Sequence, residues 1–269
     1  MKNVLTIAGS DTCGGAGIQA DLKTFSAHCT YGMSVITAVT VQNTQGVFDC
    51  QDINKEIIGK QIEAIFDDIE VSAVKIGMVS KIDTINIIAD KIEKYKPKNV
   101  VIDPVMVSKH GFELLKLEAK DLLIKRLIPL AYVLTPNIPE AEAITGIRIN
   151  NIDDMKFACK KIYDMGAKNI FLKGGHLEKN EAIDILFEGN EFFLLESNRI
   201  QTKNTHGTGC TISSAIASNL ANGMSVKDAV KEAKKYITVA IKHSLNIGKG
   251  IGPTNHFYTL FKKAGIRYE

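Results

Sequence analysis

The stretch NTHGTGCTISSAIASNLANG, residues 204 to 223, sets a glycine-broken loop and a cysteine at the start of a helical pattern. Gly207 and Gly209, with Thr208 between them, let the backbone curl so that consecutive N–H groups point inward. The helix that follows adds the positive end of its dipole. That is the chemistry of an anion hole. No Asp or Glu occurs between Ser197 and Lys227, while Lys203 and, when protonated, His206 are cationic neighbours. A carboxylate there would repel the anion that the loop is shaped to hold. Cys210 then sits beside the anion, and the helix N-terminus is expected to lower its thiol pKa from the usual value of roughly 8.5. The plainer alternative is a tight turn carrying a small buried cysteine.

Positioning such a loop requires a scaffold, and the chain supplies one in alternation. Short apolar runs (VLTIAG, SVITAVTVQ, AVKIGM, NVVIDP, YVLTP, NIFLKGG) read as buried strands. Between them lie helical patterns such as INKEIIGKQIEAIFDDI, where Ile53, Ile57, Ile58, Ile62, Ile65, Phe66 and Ile69 recur at intervals of three and four. Further helices are expected near residues 81 to 95, 118 to 128, 153 to 165, 210 to 222 and 225 to 244. AIDILFEGNEFFLLES reads instead as an antiparallel hairpin turning at Gly189-Asn190. The expectation is one α/β domain over residues 1–269, a three-layer α/β/α sandwich with a mainly parallel central sheet. In such sheets ligands bind beyond the carboxyl ends of the strands. The polar segments IAGSDTCGGAG, Gln42-Asn43-Thr44, GMVS, DPVMVSKHG, TPNIPEAE and KGGH all follow strands, so one mouth should gather them.

Composition narrows the partners. With 33 basic and 30 acidic residues the net charge is +3, too weak a field to suggest nucleic acid or a polybasic membrane contact. No run reaches the roughly 18 to 20 apolar residues of a membrane-spanning helix, and MKNVLTIAGSD does not read as a signal peptide. Five scattered cysteines without a CxxC pair suggest a reducing, cytoplasmic setting. Neither a GxxxxGK[ST] loop nor a GxGxxG spacing occurs, which argues against a P-loop enzyme or a standard dinucleotide oxidoreductase.

AGSDTCGGAGIQADLKTFSAHCTYGMSVITAVTVQNTQGV, together with VKIGM, VVIDPVMV, LTPNIPEAE, FLKGGH and THGTGCTISSAIASNLANG, resembles the hydroxymethylpyrimidine and phosphomethylpyrimidine kinases of thiamine biosynthesis. The resemblance covers essentially the whole chain and implies a ribokinase-like fold. It implies ATP as co-substrate, Mg²⁺, a small pyrimidine substrate and a homodimer. It also implies site residues: Gly9, Asp21 and Gln42 on the pyrimidine, with Met78 and Val105 as apolar walls; Asp103 and Glu140 organising Mg²⁺; Lys173, Asn137 and Thr202 toward the nucleotide; and Gly207, Thr208, Gly209 and Cys210 at the transferring phosphoryl. A glutamine amide complements the donor and acceptor of an aminopyrimidine edge, and Asp21 is expected to accept from the hydroxymethyl or amino group. Structural readings stand beside these: Gln42 as a strand-end residue, Met78 as core, Asp103 or Glu140 as a helix cap.

The implied reaction is phosphorylation of 4-amino-5-hydroxymethyl-2-methylpyrimidine and then of its monophosphate. One rival is a pyridoxal kinase of the same cysteine-containing branch. That subgroup carries a second cysteine after DPVMV, where this chain has SKHGFELL. A second rival makes Cys210 a nucleophile in acyl transfer with His206 or His176 as base. The two histidines make no convincing metal pair. The chain departs from the family at Thr12-Cys13, where a serine and a small residue are usual, and this bears on the shape of the first loop.

Overall fold

The computed structural model describes residues 1–107, 115, 117–175 and 181–266. The strands are β1 (Lys2–Ser10), β2 (Thr30–Asn43), β3 (Gly46–Asp52), β4 (Ala73–Ile76), β5 (Val100–Ile102), β6 (Val133–Leu134), β7 (Asn169–Leu172), β8 (Glu181–Glu188) and β9 (Glu191–Asn198). The helices are α1 (Gly17–Ala27), α2 (Lys55–Phe66), α3 (Ile82–Tyr95), α4 (Leu117–Leu122), α5 (Ile138–Thr145), α6 (Ile152–Asp164), α7 (Thr208–Ala221), α8 (Val226–Lys242) and α9 (Tyr258–Lys263). All the strands join one sheet in the order β3-β2-β1-β4-β5-β6-β7-β8-β9. It is parallel from β2 to β7, with β3 antiparallel at one edge and the β8–β9 hairpin antiparallel at the other.

The central strands are apolar throughout because both faces of the sheet are covered. Successive side chains point to opposite faces: Leu5 and Ile7 of β1 pack with Ile62 of α2 and Ile85 and Ile88 of α3, while Val4 packs toward Phe25 of α1 and Ile216 of α7. Helices α2 to α6 thus line one face, and α1, α7 and α8 the other. Side chains fix several helix starts: Asn54, Asn151 and Ser225 accept from backbone N–H groups two or three residues on. α7 is enclosed by its neighbours, and every residue from Thr211 to Ala221 is buried.

The short helices α5 and α9 were not among the helices expected, and two further elements differ from the sequence reading. β3, GVFDCQD, was not anticipated, since its largely exposed, polar pattern carries no apolar alternation; pairing with β2 makes it a strand. The helix expected at 118 to 128 is α4 followed by a π-helical turn, Leu123–Leu127, and a 3₁₀ turn, Ile128–Leu130, whose Pro129 cannot donate to an α-helical ladder.

Candidate active site

A single cleft over the carboxyl ends of the parallel strands gathers Gly9 at the end of β1 and Asp11 just after it, Gln42 on β2, Met78 after β4, Asp103 and Val105 after β5, Asn137 and Glu140 at the start of α5, and Lys173 after β7. Thr202, Lys203 and the Gly207-Thr208-Gly209-Cys210 turn close it from the other side. Of the expected site residues, all but Asp21 line this cleft. His176 and residues 108–114 lie outside the described residues.

Gly207 holds φ +75°, and a Cβ there would lie 1.7 Å from the Gly15 carbonyl oxygen, so only glycine lets the two loops meet. No side chain caps α7 and no acid lies in its first turn. α1 is likewise uncapped by a side chain and has no acid in its first turn. The starts of α1 and α7 thus both line one cleft, with the Gly17 N–H bonded to the Cys210 thiol and the Thr208 N–H reaching the Thr205 carbonyl at 3.4 Å. Lys173 Nζ bonds Asp103 Oδ1 at 2.9 Å, and the Thr135 hydroxyl donates to the same oxygen at 3.1 Å. Asp103 Oδ2 is turned to Gly209, 3.2 Å from where a Cβ on that residue would sit. Burial opposes the charge of Lys173, but Asp103 and then Glu140 outweigh it and hold the ammonium above the ordinary lysine value.

Asn137 and Glu140 also form a reciprocal capping box on α5: Glu140 N donates to Asn137 Oδ1 at 2.9 Å and Asn137 N to Glu140 Oε2 at 2.8 Å. The helix-capping role is therefore real, and it coexists with a place on the cleft wall. Thr202 Oγ1 accepts from Asn204 N at 3.1 Å, shaping the approach to the anion loop. Met78 packs its Cε against Gly9, 2.7 Å from the position a Cβ would take, so the glycine is what makes room for that wall.

Two expectations are corrected. Asp21 has no exposed surface and is not among the residues that line this cleft. Both its oxygens are taken by Lys75 Nζ, at 2.9 and 3.0 Å, and by the hydroxyls of Thr6 at 2.6 Å and Ser214 at 2.7 Å. With two hydrogen bonds from Lys75 and one each from Thr6 and Ser214, the carboxylate has no acceptor site left for a substrate hydroxyl. The Cys210 thiol is not lowered either. Burial is the largest influence and pushes it up, to about 11, with Asp21 and Asp103 adding to the rise; Lys75 and the Gly17 N–H work the other way. Desolvation of the thiolate outweighs the Lys75 charge and the Gly17 N–H at the start of α1.

Two residues that hold the site's surroundings in place were missed. Lys75, fully buried in AVKI of β4, could have been flagged as a charge in an apolar strand that requires a partner. Asp11 closes the first loop: Oδ1 accepts from Cys13 N at 3.0 Å, and Oδ2 from Gly15 N at 3.0 Å, Ala16 N at 2.8 Å and His206 Nε2 at 2.8 Å. The Asp-x-x-Gly-Gly spacing carried the signal of an Asx turn. It also holds the loop's shape across the unusual Thr12-Cys13 pair.

A sequence profile for phosphomethylpyrimidine kinase matches residues 11–255. The chain belongs to the phosphomethylpyrimidine kinase family. It is 49% identical over 261 residues to a hydroxymethylpyrimidine/phosphomethylpyrimidine kinase of Rhizobium meliloti, covering 96% of this chain and 98% of that one. It spans about half the length, 52%, of a thiamine biosynthesis bifunctional protein of Geobacter sulfurreducens. A phosphomethylpyrimidine kinase structure from Clostridium difficile is 58% identical with TM-score 0.81, covering 90% of this kinase and 100% of that chain. A Bacillus subtilis pyridoxal kinase solved as an ADP complex gives TM-score 0.90 at 43% identity, covering 97% and 99%. The ribokinase-like fold is thus shared between pyrimidine and pyridoxal kinases, and shape alone does not separate them.

Proposed function

We propose that this kinase transfers the γ-phosphoryl group of ATP to the hydroxymethyl oxygen of 4-amino-5-hydroxymethyl-2-methylpyrimidine, and a second one to the resulting monophosphate. The observation that carries the reading is the convergence, in one cleft, of an acid-free helix start, the Lys173–Asp103 pair and the Gln42 amide. In each transfer the acceptor oxygen–phosphorus bond forms as the bond to the β-phosphate oxygen breaks, and ADP leaves. The N–H groups of Thr208, Gly209 and Cys210 face the equatorial oxygens, and Lys173 neutralises charge that develops toward the leaving group. Asp103 Oδ2 and the Glu140 carboxylate present only oxygen donors beside Lys173, which fits Mg²⁺ held partly through water. Bound there, the ion would supply charge neutralisation of the phosphates. Cys210 can take the hydroxyl proton only as a thiolate, and with its thiol pushed up to about 11 alignment and electrostatics carry the larger share.

The names of relatives matched at nearly full length support a pyrimidine over pyridoxal, as does the absence of cysteine from SKHGFELL, most of which lies outside the described residues. Acyl transfer has no support: His206 Nε2 is bound to Asp11 and the thiol is raised, not activated. Among the described residues no helix is long and apolar enough to cross a membrane. The homodimer and the cytoplasmic setting belong to the same proposal; exposed Val39 and Val41 of β2 and Phe48 of β3 offer an apolar edge for a second copy. The deciding experiment offers the pyrimidine alcohol, its monophosphate and pyridoxal separately with ATP and Mg²⁺ and identifies the products. Faster turnover of pyridoxal than of the pyrimidine alcohol would overturn the reading.

A further inference from the structure

Gln42 does not act alone at the cleft wall. Its amide lies between two groups, with Nε2 at 3.4 Å from His206 Nε2 and Oε1 at 3.2 Å from Thr40 Oγ1. His206 Nε2 is also 2.8 Å from Asp11 Oδ2, an oxygen that already accepts from Gly15 N and Ala16 N. An ionised carboxylate only accepts hydrogen bonds. Asp11 is ionised at neutral pH, since His206 and the Ala16 N–H outweigh its burial and hold the carboxyl down at about 2. The ring nitrogen facing it therefore carries hydrogen whether the imidazole is neutral or charged. Such a nitrogen cannot accept from an amide N–H.

Turning the amide over resolves every donor and acceptor, and the network is what fixes amide orientation. His206 Nε2–H then faces both Asp11 Oδ2 and Gln42 Oε1. Gln42 Nε2 donates to Thr40 Oγ1, whose own hydrogen goes to the Ser10 carbonyl at 2.8 Å. We infer that the Asp11–His206 pair locks the Gln42 amide with its oxygen on the anion-loop side and its nitrogen on the Thr40 side, and so sets which way round the pyrimidine binds.

The consequence for the reaction rests on the pyrimidine-alcohol reading above. In that substrate the 4-amino group stands between ring N3 and the carbon that bears the hydroxymethyl. With Oε1 accepting from the amino group and Nε2 donating to N3, the hydroxymethyl falls on the His206 side, toward Gly207–Cys210. The opposite amide would turn it away from the phosphoryl site. His206 is thus a positioning residue that acts through Gln42. It also ties the two loops together, because Asp11 organises the first loop and His206 immediately precedes Gly207.

The test compares the amino alcohol with its 4-oxo analogue, in which N3–H donates and the oxygen accepts, reversing the pattern. The wild-type enzyme should prefer the amino compound in kcat/KM by about 100-fold. In His206→Phe the amide is free to turn, so the preference should fall below about tenfold through the pyrimidine KM, with KM for ATP changed by less than about twofold. His206→Gln keeps a donor and should retain most of the preference. An unchanged preference in His206→Phe, or equal weakening of ATP in both variants, overturns the inference. A long-range ¹H–¹⁵N spectrum of the free wild-type protein supplies a readout that needs no substrate: Nε2 should bear the hydrogen, and a bare Nε2 overturns the inference even if His206→Phe fails to fold. Wild-type enzyme that leaves the amino alcohol untouched would instead defeat the functional reading, with the spectrum still deciding the His206 assignment.

Discussion

Two lysine–aspartate pairs stand at neighbouring strand ends and do opposite work. Lys75–Asp21 is wholly enclosed, with both side chains at 0% exposure, and Thr6 and Ser214 complete the carboxylate's bonding. Lys173–Asp103 opens to the cleft: the lysine side chain is 17% exposed, and both hydrogen bonds of Asp103 to described side chains go to Oδ1, with Oδ2 turned toward the anion loop. A pair whose lone pairs are all used fixes the packing of α1, β4 and α7. A pair with one oxygen directed outward is available to a ligand. Cys210 lies between them and feels both, which is why its thiol answers to Lys75 as well as to Asp21 and Asp103.

The comparison is broken most severely from the closed side. Lys75→Met leaves Asp21 buried without its counter-charge and should cost about 3–5 kcal/mol in urea unfolding; adding Asp21→Asn should recover part of that loss. Wild-type stability in Lys75→Met would show that the pair does not differ from its open neighbour.

On the open side, Lys173→Met should lower kcat by about 10²–10³ and cost less stability than Lys75→Met, because truncating the part-exposed lysine opens the buried Asp103 to the cleft it lines. Loss of stability comparable to that of Lys75→Met would erase the distinction.

Cys210 sharpens the boundary between the two. Its base form exists only above its pKa, raised to about 11. If the thiolate takes the proton, kcat/KM climbs about tenfold per pH unit between about pH 8 and 10, and Cys210→Ser removes that limb without altering KM for ATP. A flat wild-type profile assigns catalysis to the anion loop and Lys173.

The smallest effect on stability is expected at Glu140. Glu140→Gln preserves the capping geometry and should change stability by less than about 0.5 kcal/mol, yet it removes a charge beside Lys173 and should raise the Mg²⁺ concentration needed for half-maximal rate. An unchanged Mg²⁺ titration would reduce Glu140 to its cap.

The layered fold was legible because its signals are local. Apolar runs such as VLTIA and helical spacing such as that of Ile58 and Ile62 survive without knowledge of neighbours. β3 was not legible, since an edge strand with a polar pattern is defined by the strand it pairs with. The glycine turn that starts α7 without an acid in its first turn was readable from Gly207, Gly209 and the missing acids, a signal that lies within one segment. Asp21 misled because a carboxylate in a helical pattern gives no sign of whether it faces a cleft or a lysine from another strand.

The sequence by itself determined the alternation of strands and helices, the glycines that allow α7 to begin where it does, and the family to which the chain belongs. Only the tertiary structure decided which charges meet. Asp11 and His206 are paired across 195 positions, and Asp21 and Lys75 across 54. Electrostatic partnership depends on distance in space and on the water excluded between the groups, and neither quantity is written in the spacing along a chain.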